Sequence, residues 1–432
     1  MRRGVYTLAL YAAAPLAWLW MARRARRAGG DWGIFSAARF GRADSAAPAP
    51  FARPPVWVHA VSLGETRAAQ PLVQALLERG LPVLLTHTTA TGRAEGARLF
   101  PAAIAAGQLR QTWLPYDFPG AARGFLARYA PRCGLLIERE VWPNLLAQAR
   151  RLGVPMALVS ARFSASSLRQ AAWLGRALRE ALVGLDAVLA QTPEDARRLE
   201  QAGARAVQVT GNLKFDLVLP PDQVQAGQAW RRALGRPVVA VASTREGEEA
   251  MFAPAMRARA GGGRPVLYLL IPRHPQRFDE ADAQLRAAGL VHVRRSRAAA
   301  PDQALPPVAG EVDAVLGDTL GEMAFYYAAA DVAIVAGSFA PLGGQNLIEA
   351  CACGVPVIVG PHTFNFAQAS EDAIEAGAAL RADSAQAAWR LALELIDDDA
   401  RRDAMREATA RFSATHTGAT QRVIRAMNGW LA

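Results

Sequence analysis

Along the chain, short apolar runs alternate with longer amphipathic stretches. The runs at Val56–Val61, Val83–Thr88, Thr112–Leu114, Gly134–Ile137, Met156–Val159, Ala187–Ala190 and Val207–Thr210 are bounded by polar or Gly/Pro positions and predict strands. Between them, Thr66–Arg79, Pro143–Leu152 and Pro193–Ala202 show helical periodicity. Strand–helix alternation of this kind predicts a parallel, doubly wound α/β sheet. The pattern pauses over 217–236, where Pro220-Pro221 and a polar helical stretch read as a linker. It restarts at Val238–Ala242, Val266–Ile271, Ala314–Leu316, Val332–Val335 and Val355–Val359, and the tail from 384 to 432 reads as helical. The expectation is two Rossmann-like domains, 45–216 and 237–383, facing a cleft, with a polar Ala/Pro-rich stretch over 43–55 before the first.

The N-terminus breaks this rhythm. No residue from Gly4 to Ala22 is charged, a length close to the ~20 residues that cross a hydrocarbon core. Tyr6, Tyr11, Trp18 and Trp20 read as interfacial residues, and Pro15 as a kink. Arg2 and Arg3 precede the segment, whereas Arg23, Arg24, Arg26 and Arg27 follow it, a bias that places the downstream domains in the cytoplasm. The segment ends in Trp-Met-Ala-Arg-Arg and offers no small-residue cleavage site. Residues 1–28 are therefore expected to be a retained membrane anchor, which either spans the bilayer or lies in its interface.

Composition narrows the picture further. The chain has 432 residues, 52% apolar and 20% charged, which excludes a disordered tail or a disulfide mini-domain. Three cysteines make neither a disulfide framework nor a four-ligand zinc site, and suit reduced thiols in the cytosol. The net charge is +11, yet Lys214 is the only lysine and every other basic residue is arginine. In a chain so biased to arginine, a retained lysine marks a place for a compact ammonium. No nucleic-acid-binding motif accompanies the charge, and the arginines that flank the N-terminal segment favour anionic lipid headgroups.

In open α/β sheets, ligands bind beyond the carboxyl ends of the strands. Several polar clusters stand at such ends. His59-Ala-Val-Ser-Leu-Gly64-Glu65-Thr66 opens a helix after the first strand; Gly64 is read as a tight turn, and Glu65 either complements the helix dipole or projects into the cleft. Glu138-Arg139-Glu140 ends a central strand, where a carboxylate needs a reason. Its two acids serve a site or pair with Arg139 or Arg162. Lys214, in Gly-Asn-Leu-Lys-Phe-Asp, could partner Glu65, Glu138 or an anionic substrate.

The second half supplies Ser243-Thr244, Pro272-Arg273-His274, Gly317-Asp318-Thr319-Leu320-Gly321-Glu322 and Gly343-Gly344-Gln345-Asn346-Leu347-Ile348-Glu349. Glycines before a helix, a later Glu for ribose hydroxyls and Arg273 as a phosphate fork together point to a nucleotide site. No HExxH or CxxC pattern calls for a metal.

Taken together, HAVSLGET, LPYD at Leu114–Asp117, ERExWPN, GNLKFD, STREGEE, PRHPQRF, GDTLGE, GGQNLIEA and GPHTFNF at Gly360–Phe366 resemble the Kdo transferases over nearly the whole chain. These enzymes move 3-deoxy-D-manno-oct-2-ulosonic acid from CMP-Kdo to the lipid A precursor. The resemblance implies a GT-B fold, an acceptor-binding N-terminal domain, a donor-binding C-terminal domain and an inverting mechanism without metal or cofactor. It places the general base on Glu65. It places CMP-Kdo contacts on Pro272 and Arg273, on Leu320, Gly321 and Glu322, and on Asn346, Leu347, Ile348 and Glu349. Glu138 or Glu140 would orient the acceptor or stabilise the reacting carbon. One departure is Gln345, where many members carry His. Competing expectations are another GT-B transferase, a sugar-nucleotide epimerase, or a non-catalytic membrane-tethered nucleotide-binding scaffold.

Overall fold

The computed structural model describes residues 2–28, 32–42, 51–164, 167–169, 175–217, 219–257, 265–298, 305–306 and 308–432. Of the Ala/Pro-rich stretch expected at 43–55, residues 43–50 lie outside the described residues. The chain divides into two units, one of residues 1–217 with 416–432, the other of residues 218–415.

The first unit holds β1 (Val56–His59), β2 (Val83–His87), β3 (Leu109–Trp113), β4 (Cys133–Ile137), β5 (Met156–Ala161), β6 (Ala187–Ala190) and β7 (Val207–Val209). They form one parallel sheet in the order β3-β2-β1-β4-β5-β6-β7. Every residue of β1, β2 and β4 is buried, as expected of a sheet covered by helices on both faces. Leu72, Leu76, Val58 and Leu135 fill one face, Phe125, Leu146, Trp57 and Leu158 the other. Each such side chain contributes about 1.5–3 kcal/mol.

The second unit holds β8 (Val238–Thr244), β9 (Leu267–Pro272), β10 (His292–Arg294), β11 (Ala314–Leu316), β12 (Val332–Val335), β13 (Val357–Val359) and β14 (Ala379–Arg381). These also form a parallel sheet, ordered β10-β11-β9-β8-β12-β13-β14. The sequence pattern did not predict β10 or β14. The strand order reverses between β1 and β4 in the first sheet and between β8 and β12 in the second, and a doubly wound sheet offers its ligand crevice at such points.

Two boundaries differ from expectation. The segment read as a linker contains the helix Pro221–Leu234, which belongs to the second unit and buries Trp230 against Phe325. The C-terminal helices do not act together. Ala385–Asp397 packs Trp389 and Leu395 into the second core, whereas residues 416–432 return to the first unit. There the helix Ala419–Ala426 adds Val423 and Ile424 to the core beside Leu72 and Leu76. Asp216 holds that return, its carboxylate accepting from the N–H groups of Gly418 at 2.6 Å and Thr420 at 2.5 Å.

The apolar N-terminal segment is a continuous helix, Arg3–Ala28, with Pro15 inside it. One stripe is docked on the first unit. The Tyr6 hydroxyl donates to Asp117 at 2.9 Å and Thr7 to the Asn144 side-chain oxygen at 3.0 Å. Tyr11 stacks on Phe118, and Trp18 joins Phe35, Phe40, Tyr116 and Phe118 in an aromatic cluster. Ala14 and Leu10 pack beside Phe118, whereas Val5, Leu8, Leu16, Leu19 and Trp20 are exposed. Of the four residues expected at an interface, Tyr6, Tyr11 and Trp18 thus contact the first unit, whereas Trp20 is exposed with the Arg24 guanidinium over its ring.

Candidate active site

The switch point of the first sheet gathers Glu65, Glu138, Glu140 and Lys214. Ser62 caps the helix Leu63–Glu78, and Glu65 is its third residue, so its carboxylate folds back over the start of the helix. Oε2 accepts from the N–H groups of Val61 at 2.5 Å and Ser62 at 3.2 Å. Oε1 has no hydrogen-bond partner among the described residues. One Glu65 oxygen therefore caps the helix, as the first-turn reading expected, and the other is not used by that cap. Burial, reinforced by the charges of Glu138 and Glu140, pushes the carboxyl up to about 7 against the pull of the two N–H donors.

Gly64 does not form the expected tight turn. It is the second residue of the helix, without a left-handed φ, and a side chain there would meet only open space near Ser62.

Glu138 terminates β4 with φ of 63°, a conformation costly for a residue with a side chain, and is buried. Its carboxylate meets the Lys214 ammonium at 2.6 Å. Lys214 is brought there by the short turn Leu213–Asp216 after β7, whose Asn212 side chain accepts from the Lys214 N–H at 3.0 Å. Glu140 accepts from the Trp142 indole at 2.9 Å and lies 3.5 Å from His59 Nε2. Neither acid is recorded with the Arg139 or Arg162 guanidinium that charge alone suggested. His59, which sequence reasoning gave no role of its own, is fully buried, with Nδ1 2.9 Å from the Thr86 hydroxyl. Its place at the end of β1, facing β4, was the available signal.

Asp117, in the loop after β3, likewise carries no mark of its role in the sequence. Its carboxylate accepts from the N–H groups of Asn144 at 3.1 Å and Leu145 at 2.7 Å, at the start of the helix Pro143–Arg151, and from Tyr6. Burial raises it to about 6. This cap fixes the loop that carries Glu138 and Glu140, and Pro143 is the first helical residue as expected.

The second unit assembles its own cluster at the carboxyl ends of β8, β9, β11 and β12. Ser243 has φ of 60° at a bulge between β8 and β9, and the Arg273 N–H donates to the Thr244 carbonyl at 2.9 Å. His274 follows, its imidazole held below its usual value by burial and by Arg273 and Arg245. Leu320 is exposed; Gly321 has φ of 85°; Glu322 accepts from Arg295 at 2.8 Å and from Thr319. Gly343 and Gly344 both have positive φ, and a side chain on Gly343 would collide with Asn365. The Asn346 side chain accepts from the Ile348 N–H at 3.1 Å and donates to Glu349 at 3.2 Å. Leu347 and Ile348 are buried beneath that turn, and the helix they open runs only from Ile348 to Ala352.

Glu248 and Glu249 hold this cluster together, and sequence reasoning did not single them out. The fully buried Glu248 carboxylate accepts from the N–H groups of Gly337 at 2.6 Å, Phe339 at 3.0 Å and Arg245 at 2.9 Å, tying the loop after β12 to that after β8. Glu249 forks with Arg277 at 3.0 and 2.7 Å and accepts from Thr244 at 2.9 Å. Two adjacent acids just beyond a strand end were the signal; their burial was not readable. No group of three or more His, Cys, Asp or Glu side chains suited to a metal occurs among the described residues.

Residues 36–217 match the family described as 3-deoxy-D-manno-octulosonic-acid transferase, and residues 310–412 match glycosyl transferases group 1. The chain is 70% identical, over 100% of both chains, to a Bordetella pertussis protein named 3-deoxy-D-manno-octulosonic acid transferase. It is 29% identical to a Haemophilus influenzae protein of the same name, over 87% of each. Among solved structures, a glycosyltransferase from Rickettsia africae aligns with a TM-score of 0.56 at 11% identity, over 88% of this chain and 98% of that one. A UDP-GlcNAc 2-epimerase from Neisseria meningitidis aligns with a TM-score of 0.55 at 13% identity, over 87% and 100%. At these identities the structural likeness is one of fold, and that fold is GT-B.

Proposed function

We propose that this chain, which belongs to the 3-deoxy-D-manno-octulosonic acid (Kdo) transferase family and is a glycosyltransferase, uses Glu65 as the general base of Kdo transfer. The donor is CMP-Kdo and the acceptor a sugar hydroxyl of the phosphorylated lipid A precursor, lipid IVA. The supporting observation is the divided Glu65 carboxylate. One oxygen is fixed by the Val61 and Ser62 N–H groups, the other is open, and the group titrates near neutrality. A base poised near the working pH typically contributes about 10²–10⁴-fold.

In the reaction, the acceptor hydroxyl gives its proton to Glu65 Oε1 as its oxygen bonds to the anomeric carbon. The bond from that carbon to the phosphate oxygen breaks, and CMP leaves with the electron pair. Attack opposite the leaving group inverts the configuration. Glu138, neutralised by Lys214, and Glu140, beside His59, flank the base and orient the acceptor or stabilise positive charge at the reacting carbon. In the second unit, Arg273 supplies fixed positive charge to the leaving phosphate, while Asn346 and Glu349 face the nucleoside. Ser243, Thr244, His274, Leu320, Gly321, Glu322, Gly343 and Gly344 complete the donor site. No step in this scheme requires a metal or a cofactor.

The helix Arg3–Ala28 attaches the enzyme to the cytoplasmic face of the inner membrane. Its docked stripe from Tyr6 to Trp18 leaves one apolar side for lipid, which favours a helix lying along the interface over one standing free across the bilayer.

The test is to incubate the detergent-solubilised protein with CMP-Kdo and a tetraacylated lipid A precursor and to weigh the lipid by mass spectrometry. The expected result is a gain in whole Kdo units, absent in Glu65→Gln. An unchanged lipid with the wild-type protein, or full transfer by Glu65→Gln, overturns the reading.

A further inference from the structure

The two acids that follow β4 are held in different ways. Glu138 is matched by the Lys214 ammonium. No lysine or arginine pairs with Glu140 among the described residues, in a chain that carries 49 of them. Its Oε2 accepts instead from a neutral donor, the Trp142 indole at 2.9 Å, and faces His59 Nε2 at 3.5 Å. Its Oε1 has no hydrogen-bond partner among the described residues, and the side chain keeps 17% of its surface open. The charge of Glu140 contributes to the rise of the Glu65 carboxyl, so the two acids are neighbours, one after each of the paired strands β1 and β4.

The His59 ring is fully buried, yet its Nε2 has no hydrogen-bond partner among the described residues. An orphaned buried group is costly and calls for a reason. The surroundings of Nδ1 fix the tautomer. The Trp57 indole can only donate, and it donates to Thr86 Oγ1 at 2.8 Å. The Thr86 hydroxyl in turn donates to His59 Nδ1 at 2.9 Å, in preference to the Val58 carbonyl at 3.5 Å. The Thr86 carbonyl, 3.1 Å from Nδ1, already accepts from the Ala60 N–H at 3.0 Å. With Nδ1 accepting, the ring proton sits on Nε2, on the side of Glu140. A histidine that only filled the core would have both nitrogens satisfied. Hydrogen bonds of a reactive site are commonly long before substrate binds and tighten afterwards.

A carboxylate held by neutral donors keeps its full charge. It repels phosphate, and its open oxygen suits a hydroxyl, to which a charged acceptor binds more strongly than a neutral one. A sugar carries several hydroxyls, so one can give its proton to Glu65 while another is gripped beside it.

We propose that Glu140 Oε1 accepts a hydrogen bond from an acceptor-sugar hydroxyl other than the one that reacts, and that His59, donating through Nε2, is the positioning residue of the Glu140 carboxylate. The inference rests on the acceptor reading above.

The test uses the full chain in non-ionic detergent, with the tetraacylated lipid A precursor as probe in calorimetric titration and in transfer kinetics. Glu140→Ala and His59→Met are each expected to weaken lipid binding and raise its KM about tenfold or more, with KM for CMP-Kdo unchanged. His59→Gln, which keeps a donor near the place of Nε2, should bind the lipid within about threefold of wild type. Added to Glu140→Ala, His59→Met should cost little more, because its effect passes through that carboxylate. An equal loss in both backgrounds, or in His59→Gln and His59→Met alike, means packing alone and overturns the inference. So does unchanged lipid affinity in Glu140→Ala. Nitrogen-15 NMR of the wild-type histidines, assigned with His59→Gln, gives a readout that does not depend on the Met variant. The His59 ring is expected to carry its proton on Nε2; a proton on Nδ1 alone overturns the inference. Lipid binding that depends on Glu140 and His59, without any transfer, would sustain this inference and sink the transfer reading. Transfer with normal lipid affinity in every variant would do the reverse.

Discussion

A base held near neutrality should make the protein less stable when it ionises, and Glu65→Gln isolates that cost. Gln keeps a side-chain oxygen for the Val61 and Ser62 N–H groups, so the cap survives. What disappears is the charge. The carboxyl rises from 4.5 to about 7 on folding, so between those values the folded state holds a proton that the unfolded chain has lost. Stability from this group therefore falls as pH rises through that window. The cost is absent below about pH 4.5, under about 1 kcal/mol at pH 5, and about 3 kcal/mol by pH 8. Glu65→Gln should be stabilised by up to that amount at pH 8 and hardly at all at pH 5. In calorimetric scans this corresponds to an unfolding transition of the first unit roughly 5–10 °C higher at pH 8. The same substitution should cost about 10²-fold or more in kcat. A variant no more stable at pH 8 than at pH 5, relative to wild type, would refute the assignment of a strained, desolvated base.

The pH profile of kcat/KM should rise through about pH 7 as Glu65 loses its proton. Glu138→Gln removes a negative neighbour and should move that limb to lower pH; Lys214→Met removes the opposing positive charge and should move it higher. Lys214→Met should also destabilise the protein by about 3 kcal/mol in urea titrations, because it strands the buried Glu138 carboxylate. Glu248→Ala leaves three or more N–H groups around β8 and β12 without an acceptor, and should weaken CMP-Kdo binding well before it alters acceptor binding, as read by separate titrations. Prolonged treatment with a chelator should leave the transfer rate unchanged.

The central strands were legible because burial on both faces demands continuous aliphatic runs such as Val56–Val58 and Leu135–Ile137. The strands β10 and β14 were not, since each is a three-residue edge whose composition, His-Val-Arg or Ala-Leu-Arg, reflects half-exposure. Lys214 was legible as an exception to the arginine bias, but its choice of Glu138 depends on where the turn after β7 falls. The return of residues 416–432 was invisible, because Asp216 meets Gly418 across some two hundred positions and neither end carries a local mark. Gly64 shows the opposite error: a glycine before a catalytic candidate invites a turn, and here it is an ordinary second residue of a helix.

The seat of the N-terminal helix makes the proposed anchor part of the folded first unit. Asp117 receives the Tyr6 hydroxyl on the same carboxylate that caps the helix after Glu140, and Trp18 covers Tyr116 and Phe118. Tether and catalyst are therefore not interchangeable modules. An equally hydrophobic helix put in its place would serve the proposed attachment to a bilayer as well, yet would expose that aromatic cluster to water and take the phenol from Asp117. Such a chimera would keep the hydrophobicity of the segment and lose order around the loop that carries Glu138 and Glu140, so a few residues of this helix are fixed by the fold they complete.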